Sequence, residues 1–196
     1  DRLEARLLAG DSRGAWGVVE SSLAAGTDVA SVYLDVLSPA LTSIGARWAS
    51  GEIDVAVEHR ASGIAMRIIG RLGPRFARRG RTRGTIVLGS PAGERHALVV
   101  AMLADLLRLE GWDVCDLGAD TPSESFVHVL ATMDGVTAVG VSVTDPTHLD
   151  SCAATCAALR AAGVQVPIYV GGQAVASEAH AVELGADGHA ADAATL

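Results

Sequence analysis

From Gly84 onward, short β-branched runs alternate with longer amphipathic stretches, and that alternation restricts this part of the chain to successive βαβ units. Strands are expected at 85–88, 113–116, 136–142 and 168–170, with a short last one near Gly188. Helices are expected between them, at about 96–110, 123–133, 149–162 and 175–184. Thr85-Ile86-Val87-Leu88 is apolar nearly throughout, as suits a parallel strand covered on both faces. A flavodoxin-like, doubly wound sheet of five parallel strands follows, with its ligand crevice at the carboxyl ends of the strands.

The preceding residues follow a different period. From 2 to about 80 the apolar positions recur at helical spacing, broken by turn signals at Gly10-Asp11, Gly26-Thr27-Asp28 and Ser50-Gly51. A four-helix bundle is implied, with Asp11-Ser12, Thr27-Asp28 and Asp54 as N-cap types ahead of the second, third and fourth helices. Gly73-Pro74 bends or ends the last helix, and Phe76 with the arginines after it forms a short continuation. The expected fold class is therefore α + α/β, with a helical domain at 1–81 and an α/β domain at 82–196.

Composition excludes several functions. All fifteen basic residues are arginine, so Schiff-base chemistry on lysine is ruled out within this sequence. The formal net charge of −8 opposes binding of nucleic acid by the module as a whole. The cluster Arg75, Arg78, Arg79, Arg81 and Arg83 reads either as a solvated helix C-terminus, which favours cations, or as a nucleic-acid patch. Cys115, Cys152 and Cys156 have neither disulfide nor zinc spacing, which suits a reducing cytoplasm. No apolar run is expected to reach the ~20 residues of a membrane-spanning helix, so no membrane contact is expected.

Three loops after expected strands carry unusual residues, all at the same carboxyl edge. They are Gly89-Ser90-Pro91-Ala92-Gly93-Glu94-Arg95-His96, Gly140-Val141-Ser142-Val143-Thr144 and Tyr169-Val170-Gly171-Gly172-Gln173. The set resembles the cobalamin-binding fold shared by methionine synthase, methylmalonyl-CoA mutase and corrinoid carrier proteins. The resemblance implies that His96 replaces the nucleotide base as lower axial cobalt ligand, in the family's Asp-x-His-x-x-Gly loop. Glu94 stands for the aspartate that fixes the imidazole tautomer, and Val99 replaces the glycine. Ser142 and Thr144 match the residues whose hydroxyls contact the buried nucleotide tail. Gly171 and Gly172 match the pair that leaves room for its benzimidazole.

The stretch Ile44-Gly45-Ala46-Arg47-Trp48-Ala49-Ser50-Gly51-Glu52-Ile53 resembles the helix-turn-helix over the upper face of cobalamin. Trp48, followed after nine residues by Glu58-His59, is similar to photoreceptors of the CarH and LitR type. Such a chain holds adenosylcobalamin, with Trp48 against the adenosyl group and Glu58 and His59 as polar partners. Ala49 stands where those photoreceptors have a histidine that takes the upper cobalt position after photolysis.

The leading expectation is thus an adenosylcobalamin light sensor, a homo-oligomer that signals to a regulatory output, and not itself an enzyme. The DNA-binding domain common in such photoreceptors has no counterpart in residues 1–25, so a separate output protein or domain is expected. Related sensors accept a second, linear tetrapyrrole such as biliverdin, and no motif here demands one. The alternative is a corrinoid carrier in methyl transfer, an enzyme component. A third possibility, a receiver-like interaction domain without cofactor, lacks its acidic phosphoacceptor pocket. His148 is singled out because its loop borders the crevice.

Overall fold

The computed structural model describes residues 2–78 and 80–190. The chain divides into two compact units, Asp1–Phe76 and Ala77–Leu196.

The first unit contains α1 (Arg2–Ala9), α2 (Ser12–Ala24), α3 (Val29–Ala49) and α4 (Val55–Leu72). Each of the last three starts on an aspartate whose carboxylate accepts an orphan backbone N–H. Asp11 takes that of Gly14 at 2.8 Å, Asp28 that of Ser31 at 2.9 Å and Asp54 that of Ala56 at 2.7 Å. Leu3, Leu7, Val19, Leu37, Ile44, Ile64, Ile68 and Leu72 are buried at helical spacing. Tyr33 stacks on Phe76 with ring centroids 4.5 Å apart, and its hydroxyl donates to the Ile69 carbonyl.

α3 corrects one expectation. It runs unbroken for 21 residues, and an 18-residue window within it has mean hydropathy 1.3, long and apolar enough by length and composition to cross a membrane. Its buried positions Val32, Tyr33, Leu37, Ala40 and Ile44 form a core stripe, and Ser43 and Arg47 on it hold Glu4. A π-helical stretch over Val32–Leu37 lies within it.

The second unit is a five-stranded parallel sheet in the order β2-β1-β3-β4-β5. Its strands and helices are β1 (Thr85–Gly89), α5 (Ala97–Leu109), β2 (Asp113–Asp116), α6 (Ser123–Thr132), β3 (Val136–Ser142), α7 (Leu149–Ala161), β4 (Ile168–Gly171), α8 (Glu178–Glu183) and β5 (Gly188–Ala190). Successive side chains of β1 point to opposite faces. Ile86 and Leu88 pack with Val100, Ala104 and Leu107 of α5, while Val87 packs with Phe126, Cys156 and Leu159 beneath α6 and α7. The strand order reverses between β1 and β3, which opens a crevice at their carboxyl ends.

Two local expectations are corrected. The last helix begins at Glu178 and not near 175, because the Ser177 hydroxyl caps it by accepting from His180 N–H while Val175 is buried in the core. Phe76 and the arginines do not continue the fourth helix. A 3-10 turn over Gly73–Arg75 ends it, and Arg78, Arg81 and Arg83 lie outside regular structure. Arg83 lies over the Trp112 ring at 4.4 Å, whereas Arg79 is outside the described residues.

Candidate functional site

β1, β3 and β4 are neighbours in the sheet, so the three loops singled out in the sequence leave the same edge side by side. Ser142 pairs in register with Gly171, and Gly89 with Val141.

Glu94 organises this edge. Its side chain is fully buried, and each carboxylate oxygen accepts two N–H groups. Oε2 takes the backbone N–H of Thr144 and of Asp145, both at 2.8 Å. Oε1 takes the backbone N–H of His96 at 3.1 Å and lies against His96 Nδ1. Burial by itself raises the carboxyl pKa. The hydrogen bonds from Asp145 N–H, the His96 ring, Thr144 N–H and His96 N–H outweigh it and hold Glu94 below the ordinary carboxylate range. An ionised carboxylate only accepts, so Nδ1 of His96 carries the proton and the lone pair is left on Nε2.

His96 sits at the position that caps α5, and its side chain is 47% exposed. The imidazole is thus fixed at one nitrogen and open at the other. Among the described residues no group of three or more His, Cys, Asp and Glu side chains could hold a bare metal ion. One oriented imidazole suits instead a metal that already carries its equatorial ligands, needing only an axial donor. The donor set therefore fits a corrinoid.

Ser142 is buried at the end of β3. Thr144 contributes its backbone N–H to Glu94, a role its side chain does not reveal. A Cβ on Gly171 would lie 2.2 Å from the Ala190 carbonyl oxygen. Gly172 has φ +99, and a Cβ there would lie 2.3 Å from the Val143 carbonyl oxygen. Both glycines are therefore required by the chain's own backbone, before any ligand is considered.

The β2 loop also joins this edge, which the sequence did not suggest. Ser90 N–H donates to the Gly118 carbonyl at 2.9 Å, and Thr121 N–H donates to the Ser90 carbonyl at 3.0 Å. The Asp120 carboxylate accepts from Gly93 N–H, and Asp120 N–H donates to the Glu94 carbonyl, each at 2.7 Å. His148 does border the crevice, for a Cβ on Gly93 would lie 2.9 Å from its ring. The turn residues Gly118 and Asp120 after β2 were the available signal, but a backbone clasp leaves no side-chain motif.

Trp48, Glu58 and His59 lie in the other unit. Trp48 is the penultimate residue of α3 and is 45% exposed. Arg47 beside it pairs with Glu4 at 3.2 Å and Glu52 at 2.7 Å, which ties down the turn that follows. Glu58 accepts from the Ser62 hydroxyl, and its carboxylate is 3.7 Å from His59 Nε2, on a side chain 74% exposed.

Residues 84–196 match the family model described as B12 binding domain, and residues 1–72 match a second model of the same description. The trimethylamine corrinoid protein of Methanosarcina barkeri is 26% identical over 180 residues, covering 87% of this chain and 80% of that protein. The match to trimethylamine corrinoid protein 1 of Methanosarcina acetivorans, also 26% identical, spans only 52% of that protein's length. The structure of the Methanosarcina barkeri monomethylamine corrinoid protein superposes with a TM-score of 0.84 at 21% identity, over 99% of this chain and 92% of that one.

Proposed function

The chain belongs to the B12-binding domain family, and from that premise we propose that it is a corrinoid carrier in methyl transfer, with His96 as the lower axial ligand. The observation that carries the ligand assignment is the buried Glu94 carboxylate, which commits Nδ1 of His96 and leaves Nε2 free. The relatives named as methylamine corrinoid proteins favour the carrier over the light sensor, reversing the order expected from sequence.

A bound corrinoid would supply a cobalt centre able to accept and release a methyl group. The chain's own residues would hold that centre and tune its electron supply. His96 presents its Nε2 lone pair, and Glu94 holds the Nδ1 proton, which raises the donor strength of the ring. Four N–H groups hold Glu94 ionised beside the ring. The methyl donor and acceptor are proposed to be handled by a separate methyltransferase partner.

The deciding experiment loads the chain with methylcobalamin and adenosylcobalamin and records absorption spectra in the dark and after green light. A carrier binds the methyl form with histidine on cobalt and passes the methyl group to an added thiol or partner enzyme. The half-exposed Trp48 and the adjacent Glu58–His59 pair keep a second reading in view, an adenosylcobalamin light sensor. Marked preference for the adenosyl form, with a light-driven change of assembly, would favour that reading.

A further inference from the structure

We infer that Asp120 is a positioning residue that presets the β1 loop for cobalt coordination, by fixing the main chain of Gly93 and Glu94 before any corrinoid arrives. The inference rests on the corrinoid reading above. Residues 92–96 carry both members of the ligand pair yet have no regular structure until α5 begins. Something outside the loop must hold it.

Two hydrogen bonds from Asp120 do so, its carboxylate accepting from Gly93 N–H and its own N–H donating to the Glu94 carbonyl, while Gly118 and Thr121 bond Ser90 at the start of the loop. Asp120 is bonded through both of its ends, so it grips two consecutive residues of the β1 loop. Its φ is +53, and among the described residues it is the non-glycine residue with positive φ. Aspartate tolerates this left-handed backbone better than most residues, at a modest cost. Such a conformation persists where neighbouring contacts over-determine it, and here two contacts do.

The geometry carries the restraint to the metal ligand. Gly93 has φ +88 and donates its N–H to Asp120, with the His148 ring where a Cβ would lie. The next residue, Glu94, is then held twice. Asp120 N–H holds its carbonyl, and the Thr144 and Asp145 N–H groups hold its carboxylate. With both ends of Glu94 fixed, the Oε1 that receives His96 Nδ1 has a fixed place. Asp120 touches neither His96 nor, on this account, cobalt.

The test uses the full chain without corrinoid, comparing wild type with Asp120→Gly and Asp120→Asn. Glycine keeps the left-handed backbone and removes the carboxylate, whereas asparagine keeps an acceptor oxygen. Amide exchange at Gly93 and nitrogen chemical shifts of the His96 ring are read by NMR. Asp120→Gly should speed Gly93 exchange about 10-fold, as fits loss of one hydrogen bond to a charged acceptor. It should also blur the single Nδ1–H tautomer of His96, while Asp120→Asn stays close to wild type. A thermal melt confirms that each variant is folded. Should the glycine variant fail to fold, wild type decides, because its Gly93 amide must exchange more slowly than unbonded loop amides. Wild-type behaviour of both signals in Asp120→Gly, equal loss in both variants, or an unprotected Gly93 in wild type overturns the inference. The corrinoid reading fails separately, through His96→Ala with hydroxocobalamin.

Discussion

Glu94 and His96 are joined twice through one oxygen, Oε1 of the glutamate receiving both the backbone N–H and the ring Nδ1–H of the histidine. The double contact closes a small ring in which the imidazole cannot turn without breaking a bond to a buried charge. Several measurable consequences follow from this pair and the loops around it.

Replacing His96 with alanine should remove the histidine-on absorption spectrum of bound cobalamin and weaken binding by about 10-fold or more, the loss of an axial donor. Absorption titration with hydroxocobalamin measures both effects. A variant spectrum identical to wild type would show that the imidazole is not the ligand.

Glu94 makes stability depend on pH in a definite direction. Its folded pKa lies below that of the unfolded chain, so the stabilisation is present above the unfolded value of about 4.3 and fades as pH falls through the folded value. Glu94→Gln should flatten denaturant stability against pH in that acid window. At pH 7 it should lower stability by about 1–3 kcal/mol, because an amide nitrogen then faces an N–H donor. Urea melts from pH 3 to pH 7 check both statements.

Gly172→Ala should destabilise the α/β unit by about 1–3 kcal/mol or more, since alanine meets both a left-handed φ and the Val143 carbonyl. The cost should appear without any cofactor. Thermal melting of the corrinoid-free chain measures it, and an unchanged midpoint would mean that the β4 loop can shift.

Trp48→Ala should leave the melting temperature of the corrinoid-free chain nearly unchanged, because the side chain is half exposed. On the carrier reading it should change affinity for methylcobalamin and adenosylcobalamin by the same factor. A loss confined to the adenosyl form would restore the light-sensor reading.

Most of the sheet was legible because its signals are local. Runs such as Val136–Ser142 are bounded by turn residues, and Asp11, Asp28 and Asp54 announce their helices through one side-chain contact each. The adjacency of the β1, β3 and β4 loops follows from the doubly wound order. What stayed hidden is carried by main chain. The N–H groups of Thr144 and Asp145 hold Glu94 whatever their side chains are, and Asp120 reads as one more turn residue until its neighbour Gly93 is placed. The length of α3 was hidden for another reason. Asp35, Ser38 and Pro39 interrupt its apolar run, while the helix passes through them unbroken.

The two glycines at the end of β4 bear on how such sequences can be sorted. Because Ala190 and Val143 already forbid side chains at Gly171 and Gly172, a descendant that had lost its corrinoid would still be under pressure to keep both. The glycine pair is therefore a marker of this sheet edge and has little diagnostic value for cofactor retention. His96 is different, since its imidazole is half exposed and leaves Nε2 without a partner among the described residues, whereas Glu94 also holds the Thr144 and Asp145 N–H groups. Loss of that histidine beside intact glycines and an intact Glu94 would identify members of the lineage that have kept the scaffold and abandoned the metal.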